Sequence, residues 1–456
     1  MKKLIFFIPL IILLFISCKK ESRHRMANEQ LQLREAMLFL EDLAGEVLNA
    51  SRVRQGESVA GRGPNTTGGT LIRPGGRNCY PAFWIRDFTM SLECGLIPPE
   101  EIEHALLLTA HCQAQEDWLT PTGSLVPRGA IADHITLDSK PIYFPGTYEF
   151  EAQGQPWGYY PSLDDHFYFV EIAWHLAVAY GRKSIFQEVI DGMSLLDRLA
   201  LAFTVPTVKD GSELVWCEEK KRGVSFGFTD SIVHTGYLLF CSILRYRAAG
   251  QLADLYQICG LQQKAEQYRS LASKISRDIQ TTFIHESGLL RASTGKSAQP
   301  DVWGSAFAVY SGALGERNAM QVSRALSRAL SDGTIAWKGN IRHVPTDYEF
   351  SELSAWEQTV NSAFSKNRYQ NGAYWNTPTG WVCYAVAQVD AEASRELALQ
   401  YVEELRAGDF RQGDEYGSPY ECIHPDGDYR QNAVYLTSVA CPLAAFQRLG
   451  WINDSK

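Results

Sequence analysis

Apolar residues recur at spacings of three and four along most of the 456-residue chain, the period of helices with a buried face. The pattern predicts twelve helices, over 29–50, 86–96, 99–117, 164–181, 184–202, 229–249, 257–283, 301–312, 316–330, 379–388, 391–407 and 432–448. Pro98-Pro99 divides the second from the third, and Gly181, Gly250 and Gly315 stand where C-caps are expected. Stretches 51–83, 118–163, 204–227 and 331–378 are long for plain connections and rich in Gly, Pro and aromatics. They read as functional loops or small strand excursions. Short links at 97–98, 182–183 and 313–315 suit antiparallel helix pairs, while the long loops precede even-numbered helices. With no strand–helix alternation, the expectation is an all-α fold, an (α/α)6 toroid over 29–456, with its long loops on one rim.

The first eighteen residues stand apart. Lys2-Lys3 and the apolar run Leu4 to Ile16 form a targeting segment, too short to read as a spanning helix. Phe15-Ile16-Ser17-Cys18 resembles a bacterial lipobox, which implies a signal peptide over 1–18 and lipidation of Cys18. An ordinary secretory signal is the alternative. Residues 19–28 then form a polar tether, and the protein is expected at the bacterial cell envelope, anchored by lipid to face the periplasm or the exterior.

Composition narrows the classes. The formal charge of −9 leaves no basic stripe for phosphates, so nucleic acid is excluded as a partner. Ten cysteines become nine without Cys18, and no CxxC occurs, so most read as small buried hydrophobes rather than a disulfide framework or zinc site. Aromatics are 12% of residues, with 11 Trp and 21 Tyr, which permits sugar stacking but also serves helical cores. No phosphate loop, metal set or Ser–His array stands out. His104 and His111 share a helix face at a spacing that suits packing better than ligation. We expect a monomer without cofactor or metal.

The candidate chemistry lies where polar, aromatic loops feed apolar helices. Five such places are Trp84-Ile85-Arg86-Asp87, Asp164-Asp165-His166, Phe228-Thr229-Asp230-Ser231, Asp301-Val302-Trp303 and Tyr374-Trp375-Asn376. The sixth and most informative, Glu415 to Phe446, puts Glu421 on a Pro-flanked aromatic loop. Two carboxyl groups from separate loops are what glycoside hydrolysis requires, one to protonate the leaving oxygen and one to activate water or attack carbon. Glu421 is the first choice for the second role, against a loop salt bridge or helix cap; Glu415 is its local competitor. Asp230, which would open a helix, is the choice for proton donor, against a plain N-cap. Arg86 and Asp87 would grip vicinal hydroxyls or form a buried ion pair. Trp157, Trp303, Trp375 and Trp381 are candidate stacking platforms, with Tyr374 in a segment that lines the pocket.

The run from Tyr420-Glu421 through Asp426-Gly427 to Tyr435-Leu436-Thr437-Ser438 resembles the C-terminal signature of the six-hairpin glycosidases, which include glucoamylases, trehalases, processing α-glucosidases and glycogen-debranching glucosidases. That resemblance implies that Glu421 is the catalytic base of an inverting reaction. Gly227-Phe228-Thr229-Asp230-Ser231 is similar to the step bearing the acid in processing and debranching members, whereas Trp216-Cys217-Glu218-Glu219 resembles the glucoamylase Trp-Glu-Glu step and makes Glu218 the alternative acid. Trp84-Ile85-Arg86-Asp87 resembles the family's Trp-x-Arg-Asp step at the −1 subsite, and Asp164-Asp165-His166-Phe167-Tyr168 its DD-x-aromatic loop. The resemblance implies an exo-acting or short-oligosaccharide hydrolase of α-linked sugars, although the β-sandwich common in such enzymes is missing. Two alternatives stay open: an unsaturated-uronide hydrolase, or an epimerase or lyase with a His or Tyr base for which His166, His234 and His424 are available, on the same barrel; or a non-catalytic glycan-binding lipoprotein.

Overall fold

A computed structural model describes residues 8–452 except 78, 122, 145–157, 210 and 361–363, with side chains from residue 29 onward. Trp157 and the side chain of Cys18 lie outside the described residues. Twelve α-helices are described: α1 (Ile8–Ser51), α2 (Ile85–Met90), α3 (Pro99–His111), α4 (Asp165–Tyr180), α5 (Leu195–Thr204), α6 (Leu239–Ile258), α7 (Gln262–Thr282), α8 (Val302–Tyr310), α9 (Glu316–Ser331), α10 (Thr379–Ala387), α11 (Ala391–Ala407) and α12 (Thr437–Arg448). The backbone of 19–28, expected as a tether, continues α1. Among the described residues no helix is long and apolar enough to cross a membrane.

Even- and odd-numbered helices differ in what they bury. Every residue of α8 is buried, whereas amphipathic α9 buries only Val322, Ser323, Ala325 and Leu326. A helix apolar all round needs neighbours on every side, and one with a single stripe needs them on one. The contacts follow: α2, α4, α6, α8, α10 and α12 each pack on the next, and α12 returns to α2. The others lie outside, α3 on α4, α5 on α4 and α6, α7 on α6, α9 on α8 and α10, α11 on α10, and α1 on α11 and α12.

At one end of this inner series, polar groups join the helices. Arg247 of α6 pairs with Glu93 (2.6 Å), just after α2, and with Glu171 of α4. Tyr310 of α8 donates to the other Glu93 oxygen at 2.6 Å, and Arg448 of α12 lies over the rings of Tyr310 and of Tyr384 in α10.

Each long segment leads into the N-terminal end of an inner helix: 52–84, 112–164, 205–238, 283–301, 332–378 and 408–436. These segments are stitched into strands, so the expectation of an all-α chain holds for the helices but not for the loops. The largest sheet has five antiparallel strands, Ala336–Trp337, Asn340–Ile341, Tyr374–Trp375, Tyr420–His424 and Tyr429–Ala433. Bonds from Gly76 N to Val434 O (2.9 Å) and from Leu436 N to Pro74 O (2.8 Å) tie the first long segment to the last.

Several boundaries depart from the periodicity. The helix expected over 184–202 is a 3-10 turn, a hairpin of Val189–Ile190 with Met193–Ser194, and then α5. Asp191 and Gly192 both have positive φ (47° and 82°), the two-residue hairpin geometry that an Asp-Gly pair favours. Gly250 caps nothing, since α6 runs through it to Ile258, held by packing on four neighbours. Gly315 instead precedes α9 as its N-cap residue. The helix expected from 229 begins at Leu239, because residues before it are spent on a 3-10 turn, Gly227–Thr229, and on a pairing of Gly236–Tyr237 with Trp216–Cys217.

Candidate active site

Glu421 sits in the strand Tyr420–His424, not in a loop, and that strand is hydrogen-bonded on both sides. Strand alternation turns Glu421 to the face opposite Cys422, and its carboxylate is buried, 1% exposed. Tyr80 donates its hydroxyl to Oε1 at 3.0 Å and Oε2 at 3.3 Å, and Asn432 donates Nδ2 to Oε2 at 2.5 Å. The Tyr80 and Tyr369 hydroxyls lie 3.2 Å apart. Burial raises the Glu421 pKa to about 8, helped by the charge of Asp87 and opposed by the donors Asn432, Tyr80 and Tyr435. Its sequence competitor Glu415 is exposed.

Asp87, on α2, accepts the Tyr435 hydroxyl at 2.6 Å, and burial moves its pKa up to about 6. Arg86 on the same helix is 5% exposed. Its Nε donates to Asp164 Oδ2 at 2.7 Å, both terminal nitrogens to Asp133 Oδ1 at 3.1 Å, and Nη2 also to Asp165 Oδ1 at 2.9 Å. All three nitrogens are therefore committed, which decides for the buried ion pair over direct capture of hydroxyls. Asp133 passes its other oxygen to His134 Nδ1 at 2.7 Å, and Trp84 stacks on the His134 ring at 4.2 Å. Trp84 also meets Tyr80 edge-on at 5.1 Å, so one half-buried indole lies between the Arg86 cluster and the Glu421 cluster.

Asp230 follows the turn Gly227–Thr229 and begins no helix, so the N-cap alternative falls. Gln370 holds the turn: its Oε1 accepts from Ser231 N (2.8 Å) and Oγ (2.7 Å), and its Nε2 donates to Gly227 O (3.0 Å). Asp230 Oδ1 is buried with no hydrogen-bond partner among the described residues. Burial raises the Asp230 pKa to about 7, with the charge of Arg86 and a hydrogen bond from Gln370 pulling it down and Asp133 pushing it up. Gly227 is indispensable to this arrangement, since a Cβ there would stand 1.9 Å from Arg86 Cζ, while its N–H donates to Asp164 Oδ2 at 3.1 Å.

Tyr369 lies within electrostatic reach of both carboxyl groups. Its phenol is held well above the usual range by burial, then by the charge of Glu421, then by that of Asp230. Acids nearly two hundred residues apart thus act on one hydroxyl, next to the adjacent pair Arg86–Asp87.

Other expected residues take different places. Trp303 and Trp375 are wholly buried and do not offer a ring face to a sugar. They pack edge-on at 5.6 Å, and each meets Phe228 of the Asp230 turn, at 5.8 and 5.6 Å. Their role is support beneath the acid, a correction to the stacking platforms expected. Trp381 is likewise core, against Phe307. Tyr374 is buried and stacks on His424 at 5.5 Å. Asp301 caps α8, accepting from Gly304 N at 2.9 Å. Glu218 is exposed at the N-cap of a 3-10 turn, away from the burial that the other acids share. His166 and His234 are buried with pKa values lowered by desolvation to about 3, and His424 to about 4.

Sequence reasoning missed Tyr80, Asp133, Tyr369, Gln370 and Asn432. Three of these, Tyr80, Tyr369 and Asn432, have positive φ, at 47°, 46° and 47°. Left-handed backbone in non-glycine residues costs on the order of 1–3 kcal/mol and collects where a site is held against its own preference. No side-chain pattern encodes that; the only local hint is Tyr80 standing four residues before Trp84.

No protein-family model matches the chain, and no curated protein matches it by sequence. Solved structures do. A rhamnosidase from Klebsiella oxytoca with rhamnose bound superposes with a TM-score of 0.56 at 10% identity, over 92% of this chain; the match spans 64% of the rhamnosidase's length. A GH63 mannosylglycerate hydrolase from Thermus thermophilus in complex with glucose gives 0.52 at 14% identity, over 89% of this chain and 99% of that one. A third solved structure, described as a glycosidase carrying a point substitution, gives 0.55 at 11% identity, over 93% of this chain and 98% of that one. The chain shares the fold of these three proteins.

Proposed function

We propose that this protein is a glycoside hydrolase of the six-hairpin superfamily, built as an (α/α)6 toroid and acting by inversion on oligosaccharide or terminal sugars, of α linkage. The observation that carries the reading is the pair of carboxyl groups, buried Glu421 and half-buried Asp230, whose charges both reach Tyr369 beside Arg86–Asp87. The ring of even-numbered helices and the fold shared with a rhamnosidase and a mannosylglycerate hydrolase support it.

Burial raises both acids, Asp230 to about 7 and Glu421 to about 8, an order that does not by itself favour Glu421 as the base; hydrogen bonding separates the roles. Both oxygens of Glu421 accept from donors that favour the carboxylate, which suits a base that takes a proton from water. Asp230 Oδ1 has no partner among the described residues, so this carboxyl has one oxygen without the donors that hold both oxygens of Glu421, which suits the protonated role. The Arg86 cluster holds Asp133, Asp164 and Asp165 in place behind Trp84, so these buried carboxylates position the site rather than touch a sugar. The phenols of Tyr80, Tyr369 and Tyr435 are all held well above their usual pKa, burial first among the causes, so they donate rather than abstract protons. That, with the depressed histidines, weighs against a lyase or epimerase.

Glu421→Gln and Asp230→Asn should each lower turnover on the order of 10²–10⁴-fold in a release assay on α-linked disaccharides and aryl glycosides, while binding survives. Proton NMR of the first product should find the inverted anomer, for which the two carboxyl groups need roughly 6.5–9.5 Å between them. Retention of configuration, or full activity in either variant, overturns the assignment. Lipidation of Cys18 is part of the same proposal: Cys18→Ser should move the protein from the membrane pellet to the soluble fraction, and an unchanged distribution refutes it.

A further inference from the structure

The segment 112–164 that supplies Asp133, His134 and Asp164 also bears a surface groove that the chemistry above leaves unused. Its volume is about 680 Å³, within the roughly 300–1,000 Å³ of small-ligand clefts. Trp118, Tyr143, His111, Gln115, Glu116 and Ser139 line it. Trp118 opens the hairpin of Trp118–Leu119 with Leu125–Val126. It remains 37% exposed, and Leu119 beside it 67%. Tyr143, edge-on to Trp118 at 6.2 Å, is fixed from below by donating its hydroxyl to Cys112 O at 2.5 Å. An indole held on a buried phenol, with imidazole, amide and carboxylate around it, joins an apolar face to polar edges. A pyranose has the same two-sided character, C–H on its faces and hydroxyls on its rim. Exposed Glu116 and Asp117 oppose an anionic glycan.

The groove is also tied through the backbone to the strand that leads into Arg86–Asp87. In a three-stranded sheet, Phe83–Trp84 pairs with His134–Ile135, which pairs with Pro141–Ile142. The first strand runs directly into Arg86–Asp87, the middle one follows Asp133, and the third borders the groove through Pro141. Two strand spacings, on the order of 10 Å, separate the groove's border from the strand leading to Arg86. An oligosaccharide spans that interval and a monosaccharide does not.

We propose that this groove binds the outer residues of a neutral oligosaccharide, with Trp118 as the stacking platform and His111, Gln115 and Glu116 as hydroxyl partners. Its link to turnover rests on the hydrolase reading; its binding does not. The test titrates the full-length Glu421→Gln protein with malto-, cello-, xylo- and mannotetraose, read by tryptophan fluorescence and calorimetry. Trp118→Ala should weaken the best tetrasaccharide by about tenfold, and Trp118→Tyr should restore most of it. With Glu421 intact, the same Trp118→Ala change should raise KM for that tetrasaccharide and leave disaccharide turnover unchanged. Failure of all four tetrasaccharides to bind, or equal affinity with and without Trp118, overturns the groove. Binding that depends on Trp118 in a protein that cleaves no glycoside retains the groove and removes the hydrolase.

Discussion

Glu421 is informative because its partners and its burial pull in opposite directions. Desolvation favours the acid, while Tyr80 and Asn432 favour the carboxylate, and burial wins by lifting the group to about 8. Catalysis as proposed needs Glu421 ionised and Asp230 protonated. With Asp230 at about 7, kcat/KM should be bell-shaped with both limbs at neutral to mildly alkaline pH, the two values belonging to the interacting site as a whole. Tyr80→Phe deletes a donor to the carboxylate, so it should move the higher limb further up while Glu421 stays buried. A profile already level below about pH 5.5 and flat beyond it, the behaviour of ordinary carboxylates, contradicts this account.

Short devices at the helix entrances matter more for the site than the helices themselves. Asp230 projects from a turn bracketed by Gln370 and made possible by the absent side chain of Gly227. Beneath it, α8 starts with the Asp301 cap and delivers Trp303 against Phe228. Asp301→Ala should therefore cost about 1 kcal/mol of stability, the usual worth of a cap, read by denaturant unfolding. Part of that loss should reappear as weaker turnover, because the cap and the support of the acid belong to one helix start. The helix period was legible here and its onset was not. Residues 229–238 carry apolar spacing that suits a helix, but pairing with Trp216–Cys217 takes their backbone first.

Across the molecule, the site stores unfavourable charge. Asp87, Asp230 and Glu421 have folded pKa values of about 6, 7 and 8, all above the usual carboxylate range. A folded state that holds protons more tightly than the unfolded chain is most stabilised below the unfolded pKa and loses that advantage as pH rises through the folded one. The melting temperature should consequently fall between about pH 5 and 9 as these groups ionise, and Glu421→Gln should make that fall shallower, as differential scanning calorimetry would record. An equal slope in both proteins would remove Glu421 from the account. At the other end of the inner helices, Arg247 between Glu93 and Glu171 is the counterweight, a half-buried charge satisfied on both sides.

The sequence by itself determined the twelve helices, because a buried stripe repeats locally and each helix writes its own period. It also marked the long segments that bear the candidate residues, since acids and aromatics there interrupt that period. Motif likeness singled out Asp230 and Glu421, whose charges both reach Tyr369. Tertiary structure alone decided that Arg86 is occupied by three carboxylates, that Trp303 and Trp375 support rather than stack, and that Tyr80 and Asn432 hold Glu421 with Tyr369 bonded to Tyr80. The reason is physical: partners in five different segments meet only once the ring of helices brings their ends together, and strained backbone at single residues leaves no periodic trace in the chain.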